Sequence, residues 1–210
     1  MPERLRAPLR ACNVPAVSIE HERYMRLALA EAELARGSTG DNPWVGAVIV
    51  SARGEVLAEG HTRGPGENHA EIDAARAARA AGLAIEGATM YSTLEPCSFH
   101  GRTPACAQVI IEHRLARVVT GMRDPHPRVD GVGVQMLRRA GIEVIEGICE
   151  DEVRRQLGSW VFAYHPHEPL ERARRLARTL LPPELIARLA ELYAVDPSKV
   201  EALIARLRST

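Results

Sequence analysis

The sequence predicts an α/β fold in three layers, with helices on both sides of a five-stranded mixed sheet and a small helical appendage at the C-terminal end. Through the second half of the chain, apolar runs of strand length alternate with helix-period segments, which implies parallel crossovers. Ahead of them, two strand-like runs lie close enough to form a hairpin, so part of the sheet is antiparallel. From Pro166 the character changes, and Pro166, Pro169, Pro182 and Pro183 punctuate a stretch rich in Arg and Leu.

Residues 1–17 contain Pro and Arg without periodicity and read as a flexible lead-in. Ser18 can cap a helix running to about Arg36, with Met25, Ala28, Leu29 and Ala32 at the i, i+3, i+4, i+7 spacing of one face. Val45–Val50 is an apolar strand, Ala-Arg-Gly-Glu turns the chain, and Val56–His61 is the partner strand. His69–Gly82 is Ala-rich and helical, and Ala88–Leu94 is a strand. Pro104–Arg114 is helical, Ala116–Gly121 a strand, Val132–Gly141 helical and Ile142–Ile148 a strand, before a further helix. The expected division is therefore a lead-in (1–17), a main domain (18–165) and an appendage (166–210). In the appendage, Pro183 suits a first helical position ahead of Leu185, Ile186, Leu189 and Leu192. Asp196-Pro197 is an N-cap and N1 pair before the stripe Val200, Leu203, Ile204 and Leu207.

The chain has 210 residues, 46% of them apolar and 26% charged, as expected of a folded globular protein. Its 27 basic and 27 acidic side chains cancel. That balance lacks the basic excess of a non-specific nucleic-acid binder, so no nucleic-acid partner is expected. No apolar run approaches the roughly 20 residues of a membrane span, and the N-terminal residues lack the apolar core of a signal peptide. Four cysteines are too few for a disulfide scaffold of this size, which fits a reducing cytoplasm.

Three pieces carry chemistry: His69-Ala70-Glu71 at a helix start, Glu95-Pro96-Cys97 after a strand, and Cys106 in the next helix. One imidazole and two thiolates suit Zn2+, and three protein ligands leave a fourth position open, as in catalytic rather than structural sites. Water in that position ionises near neutral pH, with a pKa of about 7. Glu71, two residues from His69, can take its proton and hand it to a leaving amine. On a regular helix neighbours at that spacing point apart, so the first turn has to present both inward. The combination matches hydrolytic attack on an electron-poor carbon that bears nitrogen, as in the zinc nucleobase deaminases.

Eight residues separate the cysteines, where the common form has two. The run Pro96-Cys97-Ser98-Phe99-His100-Gly101-Arg102-Thr103-Pro104-Ala105-Cys106 resembles the pyrimidine deaminase of riboflavin biosynthesis, in the cytidine-deaminase superfamily. The resemblance spans about Met25 to Ile148. It includes Asn42–Val50, Gly66–Glu71 and Arg123-Asp124-Pro125-His126-Pro127. It implies a cytidine-deaminase-like fold, with His69, Cys97 and Cys106 on zinc and Glu71 as proton shuttle. Asn42, Thr62, Ala70, Arg102, Asp124 and His126 fall at positions that contact substrate, with Arg102 toward a phosphate. The implied reaction removes the 2-amino group of 2,5-diamino-6-(5-phosphoribosylamino)pyrimidin-4-one, an aminopyrimidine nucleotide, and releases ammonia. A homodimer is the implied assembly. The roughly 60 residues after Glu150 are too few for a reductase domain of usual size, so a separate reductase is an expected pathway partner.

Four positions depart from the family pattern: His126 stands for Asn, Thr62 for a His seven residues before the zinc His, Phe99 for His and Ala105 for Pro. All lie near the substrate, so a deaminase acting on another amino-heterocycle is the alternative, followed by a catalytically silent zinc module. Several residues keep structural readings. Asn42 and Asp124 each precede a proline and suit turns, Arg102 suits a solvated loop, and Trp44 is either core or a lid. Cys12 and Cys149 read as non-ligands, His165 and His167 as a surface loop, and Arg172, Arg174, Arg175 and Arg178 as a solvated helix face.

Overall fold

The computed structural model describes residues 16–100 and 104–208. Element order follows the hydrophobic pattern: α1 (Ala16–Leu34), β1 (Gly46–Val50), β2 (Val56–His61), α2 (Ala70–Ala80), β3 (Thr89–Leu94), α3 (Cys106–Glu112), β4 (Arg117–Met122), α4 (Val132–Arg139), β5 (Glu143–Glu146) and α5 (Glu150–Tyr164). Three further helices follow: α6 (His167–Leu176), α7 (Pro182–Tyr193) and α8 (Pro197–Arg208). The first helix begins at Ala16, so Ser18 lies inside it rather than capping it. Residues 1–15 of the expected lead-in, with Cys12, lie outside the described residues.

The sheet order is β2-β1-β3-β4-β5. β1 pairs antiparallel with β2 and β3, whereas β3, β4 and β5 run parallel. Alternate residues of the central strands enter two different cores. Ala47, Ile49, Met90, Val118 and Met122 pack with Ala70, Ala74, Ala78 and Ile110 of α2 and α3. Val48, Val50, Tyr91 and Val119 pack on the other face against Tyr24, Met25 and Ala28 of α1. Burial on both faces explains why these strands read as continuous apolar runs. α5 lies beside α1, where Gln156 Nε2 donates to Leu29 O at 2.9 Å and Arg26 pairs with Glu152 at 3.0 Å.

The C-terminal helices pack against α5. A Cβ placed on Gly158 would sit 1.6 Å from Tyr193 O, so only glycine lets α5 and α7 approach this closely. Arg154, almost fully buried on α5, pairs with Glu150 and with Glu168 of α6, and Glu168 accepts from the Tyr193 hydroxyl. Arg172 was expected on a solvated face. Instead it is half-buried and joins the network through Glu150 at 3.1 Å and Asp151 at 4.0 Å. Carboxylates at the start of the neighbouring α5 hold it there, a tertiary effect that helical periodicity does not encode. Asp196 Oδ1 accepts from Ser198 N at 2.9 Å, the capping bond expected of Asp-Pro. No helix among the described residues is long and apolar enough to cross a membrane.

Gly158→Ala sets two effects against each other. Alanine raises helix propensity by about 1 kcal/mol, but forcing a methyl against a backbone oxygen costs about 1–3 kcal/mol. The contact should win, giving a net loss of up to about 2 kcal/mol in urea unfolding. A raised midpoint would mean that α5 and α7 do not touch in solution.

Candidate active site

The register brings four chain segments to one edge of the sheet. Gly46 at the start of β1 pairs with His61 at the end of β2, Ala47 pairs with Ser92 near the end of β3, and Ser92 pairs with Thr120 near the end of β4. The segments leaving these strand ends carry the sequence motifs. Carboxyl ends of parallel strands are the usual ligand edge of α/β sheets, and here they border a cavity of about 540 Å³.

His69 is the N-cap of α2, with extended backbone at φ −72°, ψ 162°, and Glu71 follows in the first turn. The spacing problem posed by His-Ala-Glu is solved this way: His69 stands outside the helix, so its side chain and that of Glu71 both face the cavity. Cys97 lies just past β3, and Cys106 opens α3. The first amides of α3 turn back onto Cys97, Cys106 N donating to Cys97 Sγ at 3.2 Å and Ala107 N to Cys97 O at 3.1 Å. They satisfy helix-end donors that lack intrahelical acceptors, so the helix starts two residues later than its sequence pattern suggests.

Nδ1 of His69 lies 3.6 Å from Cys97 Sγ and 3.4 Å from Cys106 Sγ. The three donor atoms fall within 4.8 Å of one another and can hold one metal ion. One borderline nitrogen and two soft sulfurs suit zinc. The Cys97 thiol is held well below its ordinary pKa by the Cys106 thiol, His69 and the Cys106 amide, as a metal-ligating thiolate requires. Cys106 is pushed up by its bond to Cys97 and by burial. Burial pushes the Glu71 carboxyl up, and its Oε1 accepts from Ser92 Oγ at 3.4 Å. A buried carboxyl with a raised pKa beside a metal-capable triad is suited to carry protons.

Residues 18–122 match the family described as "Cytidine and deoxycytidylate deaminase zinc-binding region". The chain belongs to this deaminase family. Its zinc-binding region is the part that supplies His69, Cys97 and Cys106. Among curated relatives, the riboflavin biosynthesis protein RibD of Aquifex aeolicus is 45% identical over 145 residues, covering 69% of this chain and 39% of that protein. RibD of Escherichia coli is 47% identical over 134 residues, covering 64% of this chain and 35% of that protein. The chain thus spans less than two fifths of the length of these two relatives. A solved Thermotoga maritima structure is titled a diaminohydroxyphosphoribosylaminopyrimidine deaminase/5-amino-6-(5-phosphoribosylamino)uracil reductase. It aligns at TM-score 0.62 and 43% identity, covering 67% of this chain and 40% of that one.

Within this deaminase fold, Asn42, Thr62, Asp124 and His126 all line the cavity. Thr39 brackets Asn42, accepting from its amide at 3.2 Å and donating from Oγ1 to its carbonyl at 2.8 Å. Thr62 Oγ1 accepts from Val45 N at 3.1 Å, so this hydroxyl braces the start of β1. Asp124 is buried, pushed up to about 7 by that burial, and its Oδ1 accepts from His126 N at 2.8 Å. The turn reading of Asp124 therefore coexists with its place at the cavity. His126 Nδ1 accepts from Arg128 N at 3.1 Å, which puts the proton of a neutral ring on Nε2. Ala70 is fully buried in the core and is not among the lining residues, whereas Arg102 lies outside the described residues. Trp44 packs beside the core with Arg36 over its ring.

Glu95 and the α5–α6 corner are additions to the sequence-derived set. The buried Glu95 carboxylate accepts from Gly131 N at 2.9 Å, Val134 N at 3.1 Å and Asp124 N at 3.4 Å, fixing the loop that carries Asp124 and His126. Its place next to Pro96-Cys97 was the available signal. Trp160, Tyr164, His165 and His167 also line the cavity. His165 is 6% exposed, so the surface-loop expectation is corrected for that residue; His167 is exposed at the start of α6, and its Nε2 donates to Pro125 O at 3.0 Å. Packing of α5 over the sheet edge turns His165 inward, which no local pattern announces.

Removing a donor of the metal-capable triad should be more costly than removing an outer partner, which alone costs about 10–100-fold in metal affinity. Cys106→Ser is expected to weaken zinc retention by more than about 100-fold in chelator competition. His165 supplies a pH test. Burial and the nearby His126 and His167 lower its pKa from 6.5 to about 4. Above pH 6.5 the ring is neutral in folded and unfolded chains alike; as pH falls toward 4 only the unfolded chain takes up the proton, so stability falls. His165→Phe should show a shallower decline in that window by urea unfolding, and a slope equal to the parent's would contradict the lowered value.

Proposed function

We propose that the protein is a zinc-dependent hydrolytic deaminase that removes the 2-amino group of 2,5-diamino-6-(5-phosphoribosylamino)pyrimidin-4-one in riboflavin biosynthesis, in the cytoplasm. The observation that carries this reading is the buried Glu71 beside the His69, Cys97 and Cys106 donors in a cavity sized for a small molecule. The names of the relatives support this reading: the RibD names give riboflavin biosynthesis, and the Thermotoga title gives deamination of a diaminohydroxyphosphoribosylaminopyrimidine.

In this proposal His69, Cys97 and Cys106 hold zinc, which when bound supplies Lewis acidity and lowers the pKa of water at the open position. Glu71 carries protons from the attacking water to the ring nitrogen and then to the amine. The C–N bond is replaced by C–O and ammonia leaves. Burial favours the protonated carboxyl, so Glu71 can hold the proton between the two transfers. Asn42, Asp124 and His126 orient the pyrimidine and its ribose, while Thr62 shapes the floor beside them. Arg102 is the proposed phosphate contact, and any contact from Ala70 is through its backbone. Residues 150–208 fold as four helices, so the reductase activity paired with deamination in the Thermotoga name resides elsewhere than in this stretch. A separate reductase is the proposed pathway partner, and a homodimer the proposed assembly.

A second reading, deamination of another amino-heterocycle, is favoured by one observation: the cavity wall built by α5 and α6 lies beyond the residues 18–122 that match the family. Ammonia release from the zinc-loaded protein, measured across the riboflavin intermediate, cytidine, deoxycytidylate and guanine, separates the two. The riboflavin intermediate should be preferred. Glu71→Gln should retain zinc and lose at least about 100-fold in rate, the lower range for a general acid–base group. Full ammonia release by that variant would remove Glu71 from its role. Zinc content without ammonia release from any compound would leave a silent binding module.

A further inference from the structure

We infer that Trp160 and His165, at the corner between α5 and α6, are specificity-determining residues: Trp160 packs on the flat face of the amino-heterocycle, and His165 hydrogen-bonds its polar edge. The inference rests on the deaminase reading above and adds residues from outside the family-matched region.

The corner is held from both sides. Toward the sheet edge, Trp160 Nε1 donates to Asp41 O at 3.0 Å, tying α5 to the residue before Asn42. Behind it, α7 presses on Gly158, and the Arg154–Glu168 pair joins α5 to α6. The Trp160 and His165 ring centroids are 4.6 Å apart, and His165 faces His126 at 5.7 Å, which in turn faces Phe99 at 5.7 Å. Four rings therefore form a continuous wall along the cavity.

Each neighbouring ring that carries nitrogen has one of its nitrogens committed. Trp160 Nε1 is bonded to Asp41, His126 Nδ1 to Arg128 N, and His167 Nε2 to Pro125 O. His165 is different: among the described residues no hydrogen bond engages either of its ring nitrogens. Neither nitrogen is a sealed, unsatisfied atom, so the ring is open to the cavity it lines. A buried imidazole kept uncharged offers one donor and one acceptor. That suits a neutral heteroaromatic edge better than a phosphate, which calls for cations. The indole beside it offers a large rigid face for stacking.

The test uses Trp44→Phe as the parent, because Trp44 lies outside the cavity lining and its removal leaves Trp160 as the sole indole. The riboflavin intermediate should quench Trp160 fluorescence saturably. His165→Phe keeps a flat ring but removes both hydrogen-bonding atoms. It should weaken binding and raise KM by about tenfold, the value of one good neutral hydrogen bond. kcat should stay within about twofold and zinc content should not change, and His165→Asn should recover most of the loss. A purely structural His165 would lower kcat and zinc content together, and Asn would not rescue it. Binding and KM unchanged in His165→Phe would overturn the inference with the deaminase reading intact. Should a different compound of the panel be deaminated, the riboflavin assignment fails and the same comparison is read with that compound. No saturable quenching by any panel compound would overturn the role of the corner.

Discussion

β1 runs antiparallel to β2 and β3, and β3 runs parallel to β4, so the start of β1 and the ends of the other three strands meet at one sheet edge. This register places Asn42, Thr62, Cys97 and Asp124, up to 82 positions apart in sequence, around one cavity. A slip of one residue in any central strand would exchange the two buried faces. Because both faces are apolar and different, Ala47 and Ile49 on one side and Val48 and Val50 on the other, packing resists such a slip. The precision of the metal-capable triad is thus set by sheet packing more than by the triad's own contacts.

Two helix N-termini then finish the site. α2 supplies His69 from its cap and Glu71 from its first turn, and α3 supplies Cys106 with the amides that hold Cys97 as a thiolate. At a helix start the cap residue lies outside the regular spiral, so an imidazole and a carboxylate two positions apart can converge. The positive end of each helix also favours thiolate and carboxylate charge near it. The metal-capable donors and the buried carboxyl therefore gather at the sites of helix initiation.

The sheet and its helices were legible in the sequence because strands buried on both faces and helices with one apolar stripe leave strong local periodicities. The metal-capable triad was legible because its residue types and order are distinctive. Helix ends were less so: α3 begins at Cys106 because a distant cysteine accepts its first amides, and the sequence near Pro104 contains no sign of that. Arg172 and His165 were misjudged for a related cause. Each sits on a polar stretch that looks solvated, and only the docking of α5, α6 and α7 buries or redirects it.

That docking changes what the C-terminal helices are for. An appendage that merely covered apolar surface would need no buried arginine, since isolated buried ion pairs seldom add stability over well-packed apolar residues. Arg154 is nonetheless buried between Glu150 and Glu168, with Tyr193 completing the set, and Gly158 lets α7 close on α5. Such a network specifies one arrangement of α5 against α6, because other rotations would strand a charge without a partner. The turn fixed in this way is the one that presents Trp160 and His165 to the cavity. The helices beyond the catalytic fold thus act on the site through geometry: they set the angle of a wall whose inner surface is aromatic and uncharged.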